Sequence, residues 1–485
     1  MVFTSTVFVF VFLPLSMALF FAFPPRWRAW PLLAASAVFY AWGEPVLVLL
    51  ILATGIVTYY LGKWLIRVEG SGRKALLTAS IVIICIPLAV FKYAGFIADS
   101  LGFHGWASSV DFPLPIGVSF YTFMSIGYLV DIYRRVDEGA PRLLDFSGFL
   151  AMYPHLVAGP IVRWSHIGPQ LAAPKFNPGM FGYGALRVGT GLFKKAVVAD
   201  SIAPLADELW GTGGPSSVGA AWIAVLLYSA QIYLDFSAYS DIAIGLAAMM
   251  GIHFHENFRF PYLARSAREF WQRWHISLGS WFRDYIYIPM GGSRVRPLLL
   301  WRNLLVVWAL TGLWHGAAWT FVLWGLYFGI LIGLERFVWG AALERAPRAL
   351  QHLYGVLVAV LGWVLFRAVD LGQAVTYYKT MFGFGGVALW DPSATFAVQR
   401  GWVLFLISVA LSIGIAKRVM DGFRAQSMPP NTLDQGGHFD QDAQPPETMT
   451  VKTSVWMTTT TVVTLLIATA FLVAVSYSPF IYFRF

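Results

Sequence analysis

Charge is scarce in this chain. Only 12% of its 485 residues are Asp, Glu, Lys or Arg, against 58% that are hydrophobic. A soluble protein carries about 25% charged residues, so this one cannot clothe a globular surface. Cysteine is nearly absent as well. The single Cys85, within IVIICIPLAV, excludes an intrachain disulfide and a multi-cysteine metal site, and its plain reading is a small buried hydrophobe. No Walker A motif, no HExxH and no GxSxG in a nucleophile-elbow setting occurs, which removes ATPase, metalloprotease and serine-hydrolase readings. His253 and His255, at i and i+2, do not share a helix face, so no metal site is expected. No repeat of fixed period is found, which disfavours the inverted-repeat transporters.

What is abundant is apolar and aromatic: 21 Trp, 21 Tyr and 39 Phe. Such a composition predicts an all-α, polytopic membrane protein. The first charged residue is Arg26. No basic region precedes the opening apolar run, so it reads as a retained span and not as a cleavable signal. Further spans are expected near 29 to 43, 46 to 62, 75 to 91, 112 to 133, 353 to 369, 401 to 416 and 454 to 480. Basic loops (Lys63 to Lys74, Arg134 to Arg142) alternate with neutral ones such as 99 to 110, which puts the N-terminus outside and the basic loops in the cytoplasm. The net charge of +9 fits this pattern and lipid headgroups better than nucleic acid.

Apolar runs in the middle of the chain are short and interrupted: about 145 to 161, 183 to 205, 217 to 235 and 238 to 252. Such runs suggest discontinuous helices lining a cavity, and they bring His155, Asp235 and Asp241 near or into the membrane. Interhelical hydrogen bonding is the plain alternative for each. A polar segment, 419 to 453, reads as a loosely held loop.

Two adjoining stretches organise the rest. Residues 259 to 302 carry eight arginines, no lysine, and only Glu269 and Asp284 against them. Trp271, Trp274, Leu278, Trp281 and Tyr285 recur at helical spacing within it, which predicts an amphipathic interfacial helix with its aromatic side down. Anchoring explains the aromatics but not the arginine density, which suits phosphates of lipids or of an acyl donor. Residues 303 to 334 follow, with His315 as their one Asp, Glu, Lys, Arg or His. A continuous helix of that run would be about 48 Å long against a hydrocarbon core of about 30 Å, so a break is expected, bracketed by Gly312 and Gly316. An imidazole in such a run is a functional candidate by default. Neutral, it keeps one free lone pair, as a general base requires.

The run from DFSAYSDIAIG (235 to 245) through FWQRWHISLGSWFRDYIYIPMGGSR to LTGLWHGAAWTFVLWGLYFG resembles the core of the membrane-bound O-acyltransferase family. The likeness is to the branch that acetylates alginate and transfers D-alanine to teichoic acid, and it extends to FYAWGEP, FPLPIGVSFYTF and the closing FIYFRF. It implies one membrane domain over 1 to 485 with its core at 112 to 337, built as a ring of roughly 11 or more helices, some broken or re-entrant, around a tunnel. It implies His315 of LWHGA and His275 of WHISL as catalytic residues. Arg273, Arg283, Trp274 and Asp284 become candidates for donor binding, and Asp235, Asp241, His155 and Trp314 for the tunnel lining.

The implied reaction moves an acetyl group from a cytoplasmic thioester, acetyl-CoA or an acylated carrier protein, for O-acetylation of an exopolysaccharide. The implied setting is the bacterial inner membrane, with periplasmic acetyltransferases as partners and no bound cofactor. His253 and His255 of MGIHFHENF stand where that family is expected to carry neutral or aromatic residues. Two other classes remain on the residues alone: a transporter using intramembrane His and Asp, and a scaffold for periplasmic enzymes.

Overall fold

The structure, a computed structural model, describes residues 1–110, 112–136, 141–172, 174, 176–211, 213–415, 451–474 and 480. Among them there is no β-strand, only a single parallel bridge between Ser217 and Ala388. Eight helices are long and apolar enough to cross a membrane: Val48–Arg67, Ser71–Ser100, Val218–Met249, Pro297–His315, Trp319–Arg345, Arg348–Arg367, Pro392–Ser412 and Val455–Ala474. Their flanks expose large apolar side chains such as Leu49, Trp64, Leu298, Leu406 and Leu466, as a lipid-facing surface requires. Hydroxyls of Thr54, Ser80, Ser229, Thr311 and Ser408 donate to the carbonyl one turn back, which satisfies them without water. Of the polar segment at 419 to 453, residues 419 to 450 lie outside the described residues.

The chain forms two compact units. One contains Met1–Gly191, Tyr239–Glu256 and the helix Val451–Ala474. At its centre Phe3, Phe8, Phe12, Phe39 and Tyr153 pack ring on ring. Gly117, at φ +76°, lies so close to the Leu156 carbonyl that no side chain fits there. The second unit contains Leu192–Ala238, residues 257 to 415 and Phe480.

Two sequence expectations change here. The runs at 217 to 235 and 238 to 252 are one 32-residue helix, Val218–Met249. It opens on the Ser217 hydroxyl, which accepts the Ala220 amide. Its polar residues suggested interruptions, but the helix is mostly buried within protein, where Asp235 pairs with Lys195 and Asp241 with Arg187. The second change is at 267 to 287, where one interfacial helix was expected. Instead Ala267–Arg273 and Ile276–Phe282 are separate short helices, and Trp271, Trp274, Leu278, Trp281 and Tyr285 are all buried in the fold. The backbone breaks at Trp274 and His275 because another strand of chain supplies the partners: the Arg273 carbonyl accepts from the Arg259 amide, and the Ile276 amide donates to the Asn257 carbonyl.

The long apolar run does break, but at 316 to 318, just past the expected bracket: Gly312 to His315 stay helical as the end of Pro297–His315, and Trp319–Leu334 follows. These two helices fold back on each other at glycine contacts. A methyl group at Gly312 would strike the Phe321 carbonyl, and one at Gly325 the Trp308 carbonyl. That close approach holds the last turn of the first helix, and so His315, against the second.

Candidate active site

His275 and His315 come together within the second unit, with ring centroids 6.5 Å apart. His315 closes the helix Pro297–His315, is 3% exposed, and sits edge-on to Trp314, Trp324 and Phe366 at 4.9, 4.9 and 5.3 Å. His275 occupies the kink between the two short helices at φ +45°, a strained region for a residue with a Cβ. It is fully buried, with Phe236 and Trp314 edge-on at 4.8 and 5.8 Å.

Asn257 decides the state of His275. Its Oδ1 accepts from the Ser277 amide at 3.1 Å and from the Ser277 hydroxyl at 2.8 Å, so it is the carbonyl oxygen of the side chain. His275 Nδ1, 3.2 Å from the same atom, must therefore donate to it. The proton is on Nδ1, and Nε2 keeps its lone pair, buried with no hydrogen-bond partner among the described residues. Burial holds the ring neutral, pushing its pKa from an ordinary 6.5 down to about 3, with its own backbone pulling weakly the other way. The unfolded chain thus takes up a proton near pH 6.5 that the folded protein refuses, so His275 erodes stability as pH falls from about 6.5 toward 3. Thermal unfolding in detergent between pH 7.5 and 5 is expected to show a flatter slope for His275→Gln than for the intact protein.

Beside the pair lies a cavity of about 930 Å³. Its floor includes Trp271, Leu304, Val307, Trp308 and Thr311, and Arg265, Arg268, Arg283 and Arg336 line its polar side. It reaches Ile276, next to His275, and Thr311, one helical turn before His315. Trp271 on the cavity wall and Trp324 against His315 hold their rings 5.4 Å apart, and each has a buried N–H with no hydrogen-bond partner among the described residues. Glu335 accepts the amides of Ala267 and Arg268, which fixes the helix carrying Arg268 on the cavity wall.

The other sequence candidates are placed as follows. Arg283 lines the cavity and pairs side by side with Asp284. Arg273 is held by Glu269 at 2.8 Å and donates to the Arg259 carbonyl. Trp274 is a buried member of the aromatic core, with Phe258, Phe270 and Trp363 around it. Trp314 lies beside both histidines. Asp235 is buried against Lys195, which also donates to Asp200 at 2.7 Å. Removing one partner from so buried a pair typically costs about 3–5 kcal/mol, so Asp235→Ala is expected to lower the unfolding midpoint markedly and Asp235→Glu much less.

His155 and Asp241 belong to the first unit. His155 is buried with Nε2 donating to the Phe149 carbonyl at 2.9 Å. Asp241 shares Arg187 with Glu256. Sequence reasoning missed Asn257, Trp324 and Lys195. Asn257 carries no motif of its own, and Trp324 is camouflaged among so many aromatics. Lys195 acquires meaning only once Asp235 is beside it.

Comparisons with known proteins assign the family. Residues 132–366 match the family described as MBOAT, membrane-bound O-acyltransferase family. The chain is 41% identical over 402 residues to the protein of Azotobacter vinelandii named "Probable alginate O-acetylase AlgI", covering 81% of this chain and 80% of that one. It is 36% identical over 507 residues to the protein of the same name in Pseudomonas putida, covering 100% of both. It is 33% identical over 432 residues to the "Peptidoglycan O-acetyltransferase" of Helicobacter pylori, covering 80% of this chain and 81% of that one. With its multiple apolar helices and these relatives, the chain belongs to the membrane-bound O-acyltransferase family and is a multi-pass membrane acyltransferase.

Proposed function

We propose that this acyltransferase takes an acetyl group from a cytoplasmic thioester and passes it across the bacterial inner membrane for O-acetylation of an exopolysaccharide of the alginate type. The observation that carries the reading is the pair of buried histidines beside an arginine-lined cavity. The names of the relatives supply the acetyl group and the polymer class. The proposal includes the family's ring of roughly 11 or more helices around a tunnel, because donor and acceptor approach from opposite sides. Periplasmic acetyltransferases are the partners that complete transfer to the polymer.

In the proposed step, an acceptor hydroxyl lies between the two rings, about 3 Å from each. His315 takes its proton as the oxygen attacks the thioester carbonyl. The carbon–oxygen bond forms, the carbon–sulfur bond breaks, and the thiolate leaves with the proton from His315. Neutral His275 has no second N–H, so it cannot donate to the oxyanion; its Nε2 lone pair instead orients the acceptor hydroxyl or the His315 proton. The unpartnered indole N–H of Trp324 is the candidate oxyanion donor. Arg265, Arg268, Arg283 and Arg336 gather the donor's phosphates, whether the donor is acetyl-CoA or a carrier protein bearing phosphopantetheine.

The test is transfer of labelled acetyl from acetyl-CoA, and separately from an acetylated carrier protein, in proteoliposomes. Label transfer that needs His315 supports the reading. Unchanged transfer by His315→Ala, or ion flux without acyl transfer, defeats it. Within the same assay, Arg268→Ala with Arg336→Ala is expected to raise the donor KM about 10- to 100-fold, from lost charge-assisted hydrogen bonds, with little change in kcat. Added salt narrows that difference if the contacts are phosphates at a solvated mouth.

A further inference from the structure

A cluster of three histidines lies in the first unit. His166 sits on the helix Trp164–Ala172, and His253 and His255 on the non-helical segment that follows Met249. One ring nitrogen from each lies within 4.8 Å of the others. The i and i+2 spacing that argues against a shared helix face has the opposite meaning here, since alternate residues of extended backbone point the same way.

Local hydrogen bonds prepare this cluster. His166 Nε2 is 3.1 Å from the His253 carbonyl, which can only accept, so Nε2 carries the proton and Nδ1 keeps the lone pair. Gln170 clamps the same loop: its Oε1 accepts the His253 amide at 2.7 Å and its Nε2 donates to the His166 carbonyl at 3.0 Å. The longer approach of Gln170 Nε2 to His166 Nε2, 3.4 Å, brings a second donor and no acceptor. A metal-binding imidazole whose other nitrogen donates to a backbone carbonyl is the usual arrangement at such centres. The His166 and His255 rings stack with centroids 4.1 Å apart, and His255 is exposed, so the cluster is open to solution.

We propose that His166, His253 and His255 bind one divalent transition-metal ion of the imidazole-favouring kind, Zn²⁺ or Cu²⁺, with its remaining position open to solvent. In a tetrahedral Zn²⁺ centre the ligand nitrogens are about 3.3 Å apart, so small side-chain rotations close the set from its present spacing. Three nitrogen ligands without sulfur or carboxylate fit these ions and disfavour Mg²⁺ and Ca²⁺. The ion would pin the loop at 250 to 256 to the helix Trp164–Ala172.

The experiment uses the full chain purified in detergent through a tag other than polyhistidine. Zn²⁺ alone is titrated calorimetrically, and Cu²⁺ is followed by electron paramagnetic resonance for nitrogen coupling. One saturable site per chain is expected, weakened by at least about tenfold in His255→Gln and further in His253→Ala with His255→Gln. His255→Gln is the safeguard against misfolding, because that side chain is exposed, and its metal-free unfolding midpoint should match the intact protein. Absence of a saturable site, binding unchanged in the double variant, or a Cu²⁺ spectrum without nitrogen coupling overturns the proposal. His315→Ala should bind the metal as the intact protein does; a loss there would assign the ion to the acyl-transfer histidines and overturn it as well.

Discussion

His315→Ala is expected to lower acetyl transfer by about 10² to 10⁴, the usual worth of a positioned general base, with the donor KM nearly unchanged. The physical ground is its position: a buried ring at the end of a helix, held in a cage of Trp314, Trp324 and Phe366. No other Asp, Glu, Lys, Arg or His occurs in the run from 303 to 334. Removing the ring also leaves a void among aromatics, so the rate must be read beside an unfolding midpoint and beside His315→Gln, which fills the space. Single-turnover transfer from preloaded donor separates chemistry from binding. If both variants keep the intact rate while remaining folded, His315 is a packing residue and the base lies elsewhere.

Asn257→Leu is expected to cost nearly as much, about 10²-fold in kcat, although Asn257 is itself a positioning residue and not a catalytic one. Its Oδ1 collects three donors, His275 Nδ1, the Ser277 amide and the Ser277 hydroxyl. Leucine removes the acceptor, strands those donors in a buried site, and frees His275 to adopt the other tautomer, which places a proton on Nε2. Asn257→Asp separates tautomer control from mere packing. A carboxylate keeps all three hydrogen bonds but favours the imidazolium, so the folded pKa of His275 rises from its low value of about 3. Activity should then fall toward acid pH in Asn257→Asp at pH values where the intact enzyme is unaffected. A purely structural Asn257 would change stability without moving the pH profile.

Much of the architecture was legible before any coordinates, because lipid imposes a simple rule. Segments without water must satisfy their own backbone, so apolar runs of the required length become helices. The spans around 46 to 62, 353 to 369 and 401 to 416 correspond to Val48–Arg67, Arg348–Arg367 and Pro392–Ser412. The break near His315 followed from length against membrane thickness. The same rule misled at Val218–Met249, where Asp235, Ser237, Ser240 and Asp241 made a buried helix look like two interrupted runs. Hydropathy assumes a lipid neighbour, and this helix has protein neighbours. Periodicity likewise joined Trp271 to Tyr285 into one helix, since spacing alone does not register a kink whose hydrogen bonds are made by Asn257 and Arg259.

By itself, the sequence determined the membrane class, the helical content and the family resemblance, and it singled out His275 and His315 as candidates, because composition and long local patterns carry those. Only the tertiary structure decided that Asn257 sets the His275 proton and that Arg268 and Arg336 face one cavity. It alone paired Lys195 with Asp235 and gathered His166, His253 and His255. Each of these depends on residues 18 to 89 positions apart, or on the backbone shape between near neighbours, and a side chain's chemistry is set by what stands beside it in space.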